Sequence, residues 1–109
     1  MATDKEGYLY LIQSEKDGSY YFGSTTDVDR RCQEHNRGKN ASTKNKKPWR
    51  LAAAVKIENI AQARSIEQKI KAHKKQVSLA SFSVLIRKYH NDGYYGDEEK
   101  SACIFLQNP

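Results

Sequence analysis

Three groups of residues in this 109-residue chain have the types and spacing to act on a phosphate. Glu67 is the only acid between Glu58 and Asp92 and lies between Ile66 and Ile70 at the edge of an apolar stripe. Arg64, Lys71 and Lys74 stand at i−3, i+4 and i+7 from it. A carboxylate among cations stays ionised and offers hard oxygen ligands to a divalent metal. It is equally the ordinary helix-surface partner of a lysine at i+4. Arg31 and His35 are four apart, so a helix puts them on one face. Arginine forks onto phosphate, and histidine donates a hydrogen bond or moves a proton. Tyr10 and Tyr21 form the third group. A phenol serves as a base toward water if its pKa falls from ~10, whereas most tyrosines in strands only pack. Phosphodiester hydrolysis needs a base, a cation, a carboxylate to hold that cation and a donor for the phosphate. Each type is present, but no spacing argument gathers them into one site.

The elements that must position these groups are readable. Residues 7–14 are rich in aromatic and aliphatic residues and short enough for a strand. Residues 15–18 end on Asp-Gly turn chemistry, and 19–24 read as the returning strand, so Tyr10 and Tyr21 fall on opposite arms of a hairpin. Thr25, Thr26 and Asp27 are N-cap residues for a helix over about 27–37, which Gly38 ends. Residues 38–48 form a basic loop longer than the usual ~4–6 residues. Residues 49–57 read as a third strand. A second helix follows over about 60–75, with Asn59 as its cap, and a third over 79–90, stopped by Asn91-Asp92-Gly93. Residues 103–106 fit a short strand or a packed extended segment.

The length suits one domain, with a core too modest for a deep cavity and room for an open surface site. The net charge is +6, and its distribution is uneven. Residues 36–75 hold twelve Lys or Arg and two acids, while both flanks are slightly acidic. Such a middle fits a polyanion, although a charge run alone is more often a solvated face. Cys32 and Cys103 match neither a disulfide framework nor a zinc site. The N-terminal residues lack signal-peptide features, and no apolar stretch approaches a membrane span. The expected location is cytoplasmic, or nuclear in a eukaryotic or viral setting, and not secreted. The residues taken alone give a basic α/β domain with phosphate-binding potential.

The order of residues resembles the GIY-YIG nuclease family. Its two signatures stand here as Tyr8-Leu9-Tyr10 and Tyr21-Phe22-Gly23. The run from Ser24 to Asn36, with Thr25, Asp27, Arg31, His35 and Asn36, looks like the family's first helix. Ser42-Thr43, Pro48-Trp49-Arg50-Leu51 and Glu67 with Ile70 and Lys71 resemble short stand-alone members, so the likeness covers about residues 7–75. It departs in three places: Tyr8 stands for the leading glycine, Phe22 for an aliphatic, and Ser24 for a lysine of excision-repair members.

The resemblance implies an α/β fold of the α+β type, with a three-stranded antiparallel sheet flanked by helices. The expected organisation is residues 1–78 as the nuclease domain, with 79–109, which match nothing in the family, as a helical extension and tail packed on it. It implies one divalent ion, Mg²⁺ or Mn²⁺, on Glu67, with Arg31 on the scissile phosphate and Tyr10 or Tyr21 as base. His35 is expected to assist at the phosphate or leaving group, and Gly23 to let the substrate approach. Ser42, Thr43, Lys44, Lys46, Lys47 and Lys71 are expected to touch nucleic acid. The expected activity is endonucleolytic hydrolysis of DNA, with branched or damaged DNA as the substrate class. The alternatives are a non-catalytic nucleic-acid-binding module, or a subunit whose protein partner docks on 79–109.

Overall fold

A computed structural model describes residues 5–73, 76–90 and 104–106. The elements run β1 (Gly7–Ser14), β2 (Tyr20–Thr25), α1 (Val28–Asn36), β3 (Trp49–Ile57), α2 (Ile60–His73), α3 (Leu79–His90) and β4 (Ile104–Leu106), with one 3-10 turn at Lys44–Lys46. The antiparallel sheet expected from β1, β2 and β3 is present. Beyond it, the short β4 pairs with β3, giving the order β2-β1-β3-β4. The helical stop at 91–93, Lys74, Lys75 and Cys103 fall outside the described residues.

The hairpin forms because its turn satisfies itself locally. Ser14 Oγ accepts from Lys16 N and Asp17 N at 3.0 and 3.2 Å, Asp17 Oδ1 accepts from Ser19 N at 2.9 Å, and Gly18 takes a φ of 79°. In α1, Asp27 is the residue that caps, accepting from Arg30 N at 3.0 Å. Asn59 caps α2 through Gln62 N at 2.8 Å. A pairing the periodicity does not reveal opens α3, where Ser78 and Ser81 each accept from the other's backbone N–H.

The sheet separates two cores. Leu9, Leu11, Phe22, Ala53, Val55 and Ile57 face α2 and α3, meeting Ile66, Ile70, Phe82 and Ile86. The Phe22 and Phe82 rings meet edge to face at 6.0 Å. Tyr10, Ile12 and Ala54 face α1 together with Trp49, Tyr21, Val28, Cys32 and Leu51. Strand alternation would send Trp49 and Leu51 to the same side as Ala53. A bulge prevents this: Ala53 pairs with Leu11 but Leu51 pairs with Ile12, so Ala52 is an extra residue. The inserted residue turns the start of β3 over and delivers Trp49 to the α1 face.

Candidate phosphodiesterase site

The five residues singled out for chemistry form one connected group along the β2 side of the sheet. Tyr10 sits on β1 directly opposite Gly23. A Cβ on Gly23 would lie 2.7 Å from the Tyr10 hydroxyl, so the glycine makes room for the phenol. This corrects the expectation that Gly23 serves the approach of substrate: it is buried and already covered by Tyr10. The phenol is 1% exposed, and its oxygen lies 2.8 Å from His35 Nε2. His35 is 0% exposed, and its Nδ1 lies 2.8 Å from Thr43 Oγ1. Thr43, also 0% exposed, directs its hydroxyl toward Asn40 O at 3.4 Å and receives Trp49 Nε1–H on its carbonyl at 2.9 Å.

These bonds fix proton positions. With the Thr43 hydroxyl donating to Asn40, Oγ1 accepts from His35 Nδ1–H, and Nε2 is left as acceptor for the Tyr10 hydroxyl. A neutral imidazole is required, and burial, with the Arg31 guanidinium nearby, pushes His35 down to about 4. Burial likewise holds the Tyr10 phenol well above its ordinary value, against an opposing pull from Arg31. Burial raises the Cys32 thiol to about 11, so the half-buried Cys32 is a packing thiol.

Two expectations change here. Thr43 cannot touch nucleic acid, because its side chain is wholly enclosed against His35. His35 cannot reach a phosphate in this arrangement, because both ring nitrogens are engaged inside the protein; it holds Tyr10 instead. Ser42, Lys44, Lys46 and Lys47 are exposed, with Lys46 Nζ 3.7 Å from Asp17.

Tyr21 and Glu67 complete the constellation. The Tyr21 ring lies 5.1 Å from the His35 ring and 6.5 Å from Trp49, and Lys71 Nζ stands 5.2 Å from its centroid. Lys71 also bonds Glu67 Oε2 at 2.8 Å, and Ser24 donates its hydroxyl to Glu67 Oε1. Arg31, one helical turn before His35, pairs with Glu34 at 2.9 Å. Arg31 is half-buried, as are Tyr21 and Glu67.

Four residues given no site role by the sequence contribute: Ser24, Asn36, Arg30 and Arg64. Ser24 alternates with Phe22 onto the α2 face, so strand parity alone points it at the helix that carries Glu67. Asn36 clamps α1 to β3, accepting from Trp49 N at 2.6 Å and donating to Trp49 O at 3.0 Å. Arg30 and Arg64 join Arg31 around a polar pocket beside Ser24; no periodicity brings α1 and α2 together there.

Glu67 is the carboxylate of this group that could hold a divalent cation. Among the described residues no three His, Cys, Asp or Glu side chains cluster as a ligand set, which leaves Glu67 as a single carboxylate. Mg²⁺ commonly takes one or two carboxylates and fills its remaining positions with water and substrate phosphate. Glu67 Oε2 already carries a cation, the Lys71 ammonium, so this oxygen faces a position where positive charge is favourable.

A family model described as the GIY-YIG catalytic domain matches residues 6–80. A UPF0213 protein of Halalkalibacterium halodurans is 42% identical over 65 residues, covering 59% of this chain and 68% of that protein. A UPF0213 protein of Listeria innocua is 33% identical over 103 residues, covering 94% of this chain and 99% of its own. The solution NMR structure of a UPF0213 protein from Bacillus halodurans covers 76% of this chain and 84% of its own at 33% identity, with a TM-score of 0.40. The chain belongs to the GIY-YIG family, a nuclease-type catalytic domain, in the company of the short UPF0213 proteins.

Proposed function

We propose that this protein is an endonuclease that hydrolyses phosphodiester bonds in DNA, with one Mg²⁺ or Mn²⁺ at Glu67. The observation that carries this reading is the convergence of Tyr21, Arg31 and Glu67 from three separate elements around the buried Tyr10–His35 pair. Arg31 would hold the scissile phosphate through its guanidinium, with Glu34 fixing its orientation. Tyr21 is the phenol left within reach of solvent, so it is the one suited to orient the attacking water and serve as its general base. Tyr10 is enclosed and bound to His35, which suits it to a supporting role that keeps the site rigid. The cation would offset the charge that builds on the phosphate oxygens as the P–O bond breaks.

Purified protein should nick supercoiled DNA with Mg²⁺ or Mn²⁺ and stop when EDTA is added. Glu67→Ala should lose about 10²–10³-fold in rate or more. Its thermal unfolding should change little, because a solvent-accessible i,i+4 ion pair contributes only about 0.3–0.5 kcal/mol. Undiminished nicking by Glu67→Ala would sink the assignment.

The rival reading, a binding module without catalysis, has one observation in its favour: both Glu67 oxygens are engaged, one by Ser24 and one by Lys71. Under the nuclease reading Lys71 only competes for Oε2. Lys71→Met should then bind Mn²⁺ more tightly than the wild type by paramagnetic resonance titration. Equal absence of Mn²⁺ binding in both proteins would support the binding-module reading instead.

A further inference from the structure

The pocket beside Ser24 has a volume of about 260 Å³ and sits where α1, α2 and the end of β2 meet. Arg30 and Arg31 border it from α1 and Arg64 from α2, and Ser24 and Thr26 supply hydroxyls. One acid, Glu34, also borders it, spanning Arg31 at 2.9 Å and Arg30 at 3.7 Å. Three guanidinia against one carboxylate leave a surplus of positive charge that the protein does not itself neutralise. Arg64 and the Thr26 hydroxyl make no ion pair or side-chain hydrogen bond with any described residue. Surplus donors turned onto one concavity call for an anion with several acceptor oxygens. A larger cavity, about 340 Å³, lies near Tyr8 and Leu51 but carries Asp27 and Asp29, which repel such an anion.

The position of the pocket narrows its ligand. It shares Ser24 with the Glu67 carboxylate and Arg31 with the scissile-phosphate position. A nucleic-acid strand laid across Glu67 therefore brings a neighbouring backbone phosphate to the pocket. The geometry points to a second phosphate subsite, in which Arg64 and Arg30 hold the backbone phosphodiester adjacent to the one that is cut. Its place next to the cut phosphate rests on the nuclease reading, whereas the binding of a phosphate there does not. Arg64 is three residues before Glu67 on α2, so both project from one side of that helix. A phosphate held by Arg64 thus sets the register of the strand against the carboxylate.

Phosphate binding and cleavage are separable by experiment. Binding of full-length protein to a short DNA duplex is measured in EDTA across a salt series, for wild type, Arg64→Gln, Arg64→Lys and a control, Lys88→Gln, on α3. Arg64→Gln is expected to weaken binding about tenfold. It should also lower the slope of log K against log salt by about 0.9, with Arg64→Lys and Lys88→Gln keeping the wild-type slope. Single-turnover cleavage is then measured on DNA with a neutral methylphosphonate on either side of the cut. Wild type should slow on one side only, and Arg64→Gln should show no additional loss on that side. An unchanged slope in Arg64→Gln, or full additivity of the two changes, overturns the subsite. Normal slopes without cleavage by wild type overturn the nuclease reading and leave the phosphate binding standing. Absence of DNA binding by wild type overturns both.

Discussion

The two tyrosines are similar in sequence and different in physics. Tyr10 gives its hydroxyl to a histidine that water does not reach, and burial keeps its proton on. Tyr21 stays accessible to solvent beside Lys71 and the Glu67 carboxylate. The burial of His35 has a measurable cost. Its folded pKa of about 4 lies below the ordinary value of 6.5, so between these values the unfolded chain binds the proton and the folded chain does not. The stability linked to neutral His35 is fully present above pH 6.5 and declines as pH falls toward 4. The slope should reach at most about 1.4 kcal/mol per pH unit. Urea midpoints from about pH 7 to about pH 4 should fall in wild type and flatten over this window in His35→Gln. Asp17, held near 2 by the Ser19 hydrogen bonds, also loses linked stability as pH falls through its ordinary value of 3.8, but it is present in both proteins, so the difference between wild type and His35→Gln isolates the histidine. Identical pH profiles for the two proteins would contradict the buried neutral imidazole.

Among the elements, the loop before β3 has two jobs. Its lysines at 44, 46 and 47 face solvent, while Thr43 between them and α1 reaches inward to set the tautomer of His35. The loop is tied down at both ends, by Ser14 Oγ donating to Lys46 O at 2.6 Å and by Asn36 on the backbone of Trp49. Thr43→Val preserves shape but leaves His35 Nδ1–H without an acceptor, a loss of about 1–3 kcal/mol for a buried donor. Chemical denaturation should show that loss, and Thr43→Ser should recover most of it. A Thr43→Val protein as stable as wild type would mean that the imidazole does not need the threonine. The bulge at Ala52 matters as much, since without it Trp49 would face α2 and the loop would lose the indole that binds the Thr43 carbonyl.

At the scale of the molecule, positive charge meets the site from two sides. The loop lysines lie beyond the Tyr10–His35 side, and the arginines of α1 and α2 lie beside Ser24. A DNA duplex crossing Glu67 would therefore be held on both flanks. Replacing Lys44, Lys46 and Lys47 with alanine should weaken binding uniformly across DNA sequences. It should also reduce the salt slope by about 0.9 for each phosphate that the loop no longer neutralises. A salt titration by fluorescence anisotropy reads this directly, and an unchanged slope would place the loop outside the interface. Among the described residues no helix is long and apolar enough to cross a membrane. α3 packs Phe82 and Ile86 into the same core as β1 and α2, so this part of the extension is built into the sheet's hydrophobic face.

The periodicity of the chain determined its strands and helices, because burial of one face imposes a period of two or ~3.6 on the residues that make it. β1, β3 and α3 fall on the bounds read from sequence, and α1 and α2 within a few residues. The ordered set of Tyr10, Tyr21, Arg31, His35 and Glu67 was also legible, through family resemblance and not through spacing. The direction each side chain takes was not. A single inserted residue, Ala52, reverses the facing of Trp49, and period-two reading cannot place an insertion in a run of three alanines. Thr43 looks like a polar loop residue until His35 is found beneath it, and Gly23 like a substrate passage until Tyr10 is found against it. Arg64 looks like helix surface until α1 brings Arg30 and Arg31 alongside. Each depends on residues distant in sequence that meet only through packing. The tyrosine pair was thus given by the order of residues, and its division into a buried phenol and an accessible one was made by the fold.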